Sequence, residues 1–129
     1  MAAFLQRLCS TKVFPLSWTF LIIVLLCLPG SAIPGSGFFA IEGLDKVVHI
    51  ILFGGLVLFW GIYIRQRYNK PWAKMILWIA LLSIGLGIFL EYIQLYFVSN
   101  RSFDSRDIIA DTIGSLIVFI FFLFSNINK

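Results

Sequence analysis

Four long apolar runs, joined by short polar segments, constrain what this chain can fold into more than any other feature. They extend over residues 13–33, 45–64, 72–94 and 107–124, and each is long enough for a helix to cross about 30 Å of hydrocarbon. A segment in lipid has to satisfy its own backbone hydrogen bonds, and these runs lack the alternating polarity of barrel strands. We therefore predict an all-α polytopic membrane protein, built as a four-helix transmembrane bundle.

The composition and the short connections argue against an additional soluble domain. Hydrophobic residues make up 60% of the chain and charged residues only 12%, which lies far outside the range of soluble globular proteins. The connections over residues 34–44, 65–71 and 95–106 leave no room for a separately folded unit. Residues 1–129 are thus expected to form a single membrane domain.

The first apolar run has two further interpretations that depend on processing. Arg7 and Lys12 precede its apolar core and small residues follow that core at positions 30–32, as in a secretory signal peptide, so removal of this segment is an alternative to its crossing the membrane. Modification of Cys27 as in a lipoprotein is disfavoured, because the usual small residue is missing before it. Cys9 is the only other thiol, so no disulfide framework is predicted.

The charged residues divide between the two sides of the predicted bundle and set its orientation. Seven basic residues and no acid fall on one side: Arg7, Lys12, Arg65, Arg67, Lys70, Lys74 and Lys129. Short basic loops stay in the cytoplasm, so both termini are predicted to be cytoplasmic. The other side receives three basic and six acidic residues: Lys46, Arg101, Arg106, Glu42, Asp45, Glu91, Asp104, Asp107 and Asp111. The net charge of +4 is accordingly interpreted as attraction to anionic lipid, with the bilayer and not nucleic acid as the partner.

Polar side chains enter three of the runs near their predicted outer ends. Helical spacing places Asp45 and His49 on one face of the second run. Two further faces follow in the third and fourth runs: Ser83, Gly87, Glu91 and Gln94 form one, and Asp104, Asp107, Asp111 and Gly114 form the other. Small residues allow close helix contact, so Ser83, Gly87 and Gly114 are predicted to pack helix against helix. The polar groups would then point into the bundle at one depth, with Arg101 beside them.

Some of these residues also have ordinary structural roles to consider. Asp104 and Asp107 have the spacing of a capping box at the start of the fourth helix. Arg101, Arg106 and Lys46 are interpreted as interfacial side chains that reach for lipid headgroups, unless they belong to the site.

Two carboxylates are harder to explain in this way, whereas the imidazole of His49 is not. Glu91 and Asp111 lie inside predicted spans, where a carboxylate costs about 2.5 to 3.5 kcal/mol on insertion scales. They should therefore be paired or functional. His49 on its own is typical of a hydrogen-bonded structural residue, and no second histidine or thiolate accompanies it as in a zinc site.

The order and spacing of these residues resemble the VanZ-like family of small bacterial membrane proteins. The residues that carry the resemblance are Asp45, Lys46, His49, Phe53, Glu91, Gln94, residues 101–107, Asp111 and Gly114. They cover about residues 45–117, and the part from 91 to 114 is the most specific. Many family members have asparagine where this chain has Asp111. The resemblance implies a multi-pass protein of the bacterial cytoplasmic membrane, connected with low-level teicoplanin resistance.

The first functional hypothesis is a non-enzymatic membrane protein with an outward-facing site for the headgroup of an envelope lipid or wall precursor. Arg101 would hold phosphate or carboxylate in a bidentate fashion. Hydroxyl or amide groups of the ligand would be arranged by His49, Glu91, Gln94 and Asp107.

The second hypothesis is an intramembrane enzyme that acts on such a lipid. His49 or Glu91 would be the general base, and carboxylates would hold a divalent cation, these being Glu91, Asp104, Asp107 and Asp111. No nucleophile motif and no complete metal motif supports it. We therefore expect no metal, no cofactor and no demonstrable enzymatic activity.

The third hypothesis is a purely structural ion-pair network that joins three helices. It pairs Arg101 with Glu91 or Asp107, and His49 with Asp45. Removing one partner of a buried pair costs about 3 to 5 kcal/mol, so this hypothesis predicts a loss of stability in Arg101→Ala.

Overall fold

The computed structural model describes residues 1–35, 37–69 and 71–125, apart from the side chains of Phe38 and Phe39. Throughout these residues the regular structure is helical, which confirms the all-α prediction. Five α-helices follow one another along the chain: α1 (Ala2–Leu8), α2 (Val13–Leu26), α3 (Leu44–Arg67), α4 (Trp72–Phe97) and α5 (Ser105–Ser125). Two short 3₁₀ turns, Gly30–Ala32 and Gly37–Ala40, connect α2 to α3.

Three of these helices are long and apolar enough to cross a membrane. Helices α3, α4 and α5 have 24, 26 and 21 residues, and at about 1.5 Å per residue they measure about 36, 39 and 32 Å. Each matches a predicted run to within a few residues at either end. Large apolar side chains such as Trp78, Phe89 and Phe121 are exposed on their outer faces, where lipid replaces water. The chain is a multi-pass membrane protein.

The first predicted span, residues 13–33, is the one that the structure alters. Helix α2 ends at Leu26 and is only about 21 Å long, and α1 meets it at a bend of 85°. The two helices amount to a fourth span only if the bent pair is taken together. The helix stops early because Pro29 cannot donate a backbone hydrogen bond, and the N–H of Gly30 instead donates to the carbonyl of Ser99 at 3.0 Å.

Helices α3, α4 and α5 form the core of the bundle, and α2 packs on its side. The most extensive contact joins α3 to α5, followed by α4 with α5. Glycines permit the close approach, because a Cβ at Gly114 would collide with the backbone carbonyl of Ile50, and one at Gly87 with the Asp111 carboxylate. Ser83 and Ser115 hydrogen-bond between α4 and α5 at 2.8 Å. The three residues expected to pack helix against helix lie in these contacts.

Two indoles attach α2 to α3. The Trp18 Nε1–H donates to the carbonyl of Leu52 at 3.0 Å, and the Trp60 Nε1–H donates to the Thr19 hydroxyl at 3.1 Å. Both bonds lie within the apolar part of the bundle, where an unpaired donor is costly. They fix the depth of α2 against α3, and so they position the end of α2 beside the first turns of α3.

Candidate functional site

The start of α3, the end of α4 and the start of α5 lie together at one end of the bundle, called here the polar end. Seven ionisable residues converge there and form what we call the polar cluster: Asp45, Lys46, His49, Glu91, Asp104, Asp107 and Asp111. Helix α3 contributes three of them, α4 one and α5 two, while Asp104 immediately precedes α5. The cluster is thus built by the three core helices.

Lys46 is the centre of the first half of the cluster. Its Nζ lies 2.5 Å from Asp45 Oδ2, 2.7 Å from Asp104 Oδ2 and 2.5 Å from Asp107 Oδ1. One ammonium therefore joins α3 to α5 and to the connection before α5. The hydrogen bond from Lys46, together with the backbone N–H of Arg106, lowers the pKa of Asp104 to about 2. The alternative that Lys46 is an interfacial residue reaching for headgroups is wrong.

His49 is the centre of the second half. Its Nδ1 forms a 2.7 Å hydrogen bond with Asp111 Oδ1, and its Nε2 lies 3.7 Å from Asp107 Oδ2. The expected pair of His49 with Asp45 is not formed. Asp45 projects toward solvent, with 59% of its side chain exposed, and binds Lys46, whereas α5 brings Asp111 directly against the imidazole.

Glu91 links α4 to the beginning of α5. The residue is 1% exposed, and its Oε2 accepts the backbone N–H of Asp104 at 2.9 Å. Asp104 caps α5, because its Oδ1 accepts the N–H of Arg106 at 2.9 Å. In a capping box Asp107 would return to the Asp104 N–H. Glu91 takes that place, which leaves Asp107 available to Lys46 and His49.

Gln94 and Arg101 lie next to the polar cluster and hold the end of α2. The Gln94 Nε2 donates to the carbonyl of Leu26 at 2.8 Å, and the Arg101 Nε donates to the carbonyl of Leu28 at 3.2 Å. Within the described parts of the chain, Arg101 forms no salt bridge with a carboxylate. The expected pairs of Arg101 with Glu91 or Asp107 are therefore wrong, because the guanidinium faces the α2 side of the bundle.

A cavity of about 320 Å³ lies between the end of α2, the segment that follows it and the first turns of α3. Most of its wall is apolar and includes Leu25, Ile33, Val48 and Leu52. Three polar residues also line it: Asp45, His49 and Arg101. An apolar chamber with a few converging polar groups is the usual form of a small-molecule site.

The sequence model of a family described as VanZ/LLP1 matches residues 4–126 of this chain. The chain belongs to the VanZ/LLP1 family. The match is longer than residues 45–117, where the individual motifs resemble the family, and it includes α1 and α2. Neither the search of curated proteins nor the search of solved structures returned a match.

In this VanZ/LLP1 protein the structure brings together six of the eight residues expected to form a polar site. They are Asp45, His49, Glu91, Asp104, Asp107 and Asp111. Gln94 and Arg101 adjoin them at the end of α2. Whether any of the eight binds a ligand stays a prediction.

Lys46 is the member of the cluster that sequence reasoning assigned elsewhere. Its signal was present, because Lys46 and His49 are three residues apart and so share the helix face that enters the bundle. A lysine inside the first turn of a span, opposite an excess of acids, is more economically paired than interfacial.

Two groups of side chains in this VanZ/LLP1 protein have the spacing of metal ligands. One is His49, Glu91 and Asp107, and the other is Asp45, Asp104 and Asp107. In each group one potential ligand atom per residue lies within 4.8 Å of the others. The two groups share Asp107, whose two oxygens face different neighbours.

Proposed function

We propose that this VanZ/LLP1 protein binds a membrane lipid with an anionic headgroup at the polar end of its bundle. The observation that carries the proposal is the position of Arg101, a guanidinium without a carboxylate partner among the described residues, beside a mostly apolar cavity. A guanidinium offers planar, bidentate hydrogen bonding to phosphate or carboxylate. The Nε of Arg101 is used by Leu28, so its terminal nitrogens are the ones that would meet the ligand.

The apolar wall of the cavity suits the beginning of an acyl or isoprenoid chain. Leu25, Ile33, Val48 and Leu52 line it, so such a chain would pass from lipid into an equally apolar surrounding with little change in hydrophobic free energy. Asp45 on the same wall can accept hydrogen bonds from hydroxyl or amide groups of a headgroup.

The acidic surroundings do not oppose an anion as strongly as their composition suggests. Three of the carboxylates, those of Asp45, Asp104 and Asp107, are already bound to the Lys46 ammonium. Lys46 offsets one of these three negative charges, and Arg101, which has no carboxylate partner among the described residues, is the cation that lines the cavity. An envelope lipid with a phosphate group is the ligand class that this arrangement favours.

We also propose that the polar end faces away from the cytoplasm in a bacterial cytoplasmic membrane. The opposite end carries Arg65 and Arg67 in the last turn of α3 and Lys74 in the first turn of α4, and short basic loops remain inside. The cavity would then open on the side where cell-wall precursors are presented and where glycopeptide antibiotics act. Occupation of the cavity by such a precursor would alter susceptibility to teicoplanin.

Native mass spectrometry of the detergent-purified protein tests lipid binding. The parent, Arg101→Ala and the matched control Arg106→Ala are titrated with phosphatidylglycerol, a polyprenyl phosphate and phosphatidylcholine. Arg106 lies at the same end and is largely exposed, so its removal tests general charge. We expect Arg101→Ala to bind the two anionic lipids about tenfold more weakly than the parent, as for loss of a charge-assisted hydrogen bond. Equal losses in both variants, or equal binding of phosphatidylcholine, would contradict the proposal.

Susceptibility measurements test the cellular role. The parent, Arg101→Ala and Arg106→Ala are expressed at equal membrane levels in a bacterium that lacks a VanZ/LLP1 protein, and the inhibitory concentration of teicoplanin is measured. We expect the parent and Arg106→Ala to change it alike, and Arg101→Ala to leave it at the level of the host. If Arg101→Ala changes the inhibitory concentration as the parent does, the effect on teicoplanin susceptibility does not depend on the cavity.

A further inference from the structure

Three buried side chains from three helices meet in the second half of the polar cluster. His49 of α3 is 4% exposed, Glu91 of α4 is 1% exposed and Asp107 of α5 is 9% exposed. One potential ligand atom of each lies within 4.8 Å of those of the other two. They differ from an ordinary acidic cluster because one of the three donors is an imidazole.

Each of these side chains is held by one polar atom, and its other polar atom is left open. Nδ1 of His49 is bonded to Asp111, Oε2 of Glu91 to the backbone of Asp104, and Oδ1 of Asp107 to Lys46. The remaining atoms are His49 Nε2, Glu91 Oε1 and Asp107 Oδ2. Among the described residues none of them makes a hydrogen bond, and Nε2 and Oδ2 are 3.7 Å apart, which is too far for one. No fully buried side-chain nitrogen or oxygen lacks a hydrogen-bond partner there, so each of the three atoms keeps some access from outside.

The contact between His49 and Asp111 is the outer-shell arrangement of a metal-binding histidine. Such a histidine donates one ring N–H to a carboxylate or carbonyl, and this bond fixes the tautomer that presents the other nitrogen to the ion. Asp111 has this relation to His49 at 2.7 Å. The imidazole is thereby oriented with Nε2 toward Asp107.

The second group of possible ligands is already filled by an amine. Asp45, Asp104 and Asp107 all contact Nζ of Lys46, which stands where an ion would sit. By contrast, no lysine or arginine of the described chain bonds to Glu91 or Asp111. In the first group Glu91 therefore has no bound cation, whereas all three residues of the second group contact one.

The charges of the polar cluster leave room for a divalent ion. Five carboxylates, those of Asp45, Glu91, Asp104, Asp107 and Asp111, face two permanently charged cations, Lys46 and Arg106. With His49 neutral, three negative charges are uncompensated within the cluster, and Arg101 beside it would offset at most one of them. Uncompensated charge is costly in a poorly solvated site, and a divalent ion would neutralise two of the three.

We propose that His49 Nε2, Glu91 and Asp107 bind one divalent first-row transition metal ion. Imidazole nitrogen with two carboxylate oxygens suits Zn²⁺ or Mn²⁺, whereas Mg²⁺ prefers oxygen ligands and keeps its waters. Three donors at about 2.1 Å from one ion lie about 3.0 to 3.6 Å from one another, so side-chain movements of up to about an ångström bring the three donors into range. The site does not depend on what occupies the cavity, although His49 also lines it.

Metal binding to the purified full-length protein tests this proposal directly. The chelator-treated protein in detergent is equilibrated with Zn²⁺, Mn²⁺ or Mg²⁺ alone, separated from free ion and analysed by elemental mass spectrometry. We expect about one Zn²⁺ or Mn²⁺ per chain and no retained Mg²⁺. His49→Gln and Glu91→Gln should each weaken binding by about 100-fold or more, and Asp111→Asn by about 10- to 100-fold.

Glu42→Gln is the matched control, because Glu42 precedes α3 at the same end and is exposed. It should bind metal as the parent does. If either glutamine variant does not fold, the absorption spectrum of Co²⁺ bound to the parent and to Asp111→Asn decides, since a His49-ligated ion must change its spectrum when the partner of His49 changes. A parent that retains no metal, or variants that retain it as well as the parent, would overturn the proposal and leave a proton on one carboxyl as the compensating charge.

Discussion

At the scale of single residues, Lys46 has the largest structural role in the polar cluster. One ammonium is shared by three carboxylates that come from α3, the connection before α5, and α5 itself. The third hypothesis predicted ion pairs between the helices, but it assigned them to Arg101 instead of Lys46. Helical periodicity places residues on faces, but it does not say which cation reaches which acid, because that depends on the rotation and depth of each helix.

Lys46→Met should destabilise the protein by about 3 kcal/mol. Removing one partner of a buried ion pair costs about 3 to 5 kcal/mol, and the lower end applies because Lys46 and Asp104 are partly solvated. The measurement is the midpoint of unfolding in detergent. Lys74→Met is the control, since Lys74 is exposed at the start of α4, and it should change the midpoint little. Equal effects of the two substitutions would remove Lys46 from the centre of the cluster.

Acid should loosen the connection before α5 through Asp104. Its pKa is lowered from 3.8 to about 2, so its carboxylate contributes stability that is complete above about pH 4 and is lost as the pH falls toward 2. The measurement compares unfolding midpoints of the parent and Asp104→Asn between pH 5 and pH 2. We expect their difference to shrink as the pH falls. A difference that is constant across this range would show that Asp104 is not held by Lys46 in its ionised form.

At the scale of helices, the sequence predicts the bounds of the last three apolar runs well, but not those of the first run. Hydropathy locates α3, α4 and α5 because each stays apolar for the thickness of a bilayer. Hydropathy does not predict that the Gln94 amide donates a hydrogen bond to the Leu26 carbonyl where α2 ends. Pro29 indicates in the sequence that α2 ends nearby, whereas the tertiary hydrogen bond from Gln94 leaves no trace in the sequence of α2.

The capping of α5 also depends on a contact between helices that local sequence does not predict. The spacing of Asp104 and Asp107 predicts a capping box, and the Asp104 half of it is present. Glu91, thirteen residues earlier on a different helix, supplies the other half. Local sequence therefore predicted the cap, while the partner that completes it depended on how α4 and α5 pack.

Gly114→Ala should destabilise the contact between α3 and α5 by about 1 to 3 kcal/mol, as expected for overpacking. A Cβ there would collide with the backbone of Ile50, which cannot move without its helix. Gly85→Ala is the matched control, because the space around Gly85 is open, and alanine in a helix is favoured by up to about 1 kcal/mol. Thermal unfolding of the two variants in detergent should therefore shift in opposite directions. A neutral Gly114→Ala would mean that the helices do not touch there.

At the scale of the whole molecule, the number of spans decides where the N-terminus lies. Three complete spans place the two termini on opposite sides of the membrane, whereas a bent α1 and α2 that together cross it place them on the same side. The charge pattern favours the second arrangement, because Arg7 and Lys12 accompany the basic end. Sequence alone could predict the separation of charge between the ends but not the 85° bend between α1 and α2.

Reporter fusions measure this arrangement. Green fluorescent protein fused to either terminus should fluoresce, since it folds in the cytoplasm, while alkaline phosphatase at the same positions should be inactive. The expected result follows from the proposal that the basic end is cytoplasmic. Active alkaline phosphatase at the N-terminus alone would indicate three spans. Activity at both termini would show that the bundle has the opposite orientation in the membrane.

The position of α2 has a consequence for how the cavity communicates with its surroundings. Its wall includes the end of a helix whose other side is open to lipid, with Phe20 and Val24 exposed, and α2 contacts the core far less than α3 and α5 contact each other. The nearest reservoir for an apolar molecule is thus the bilayer itself. If the proposed lipid binds there, it would enter from within the plane of the membrane, and its rate of entry would follow its mole fraction in the membrane rather than any aqueous concentration.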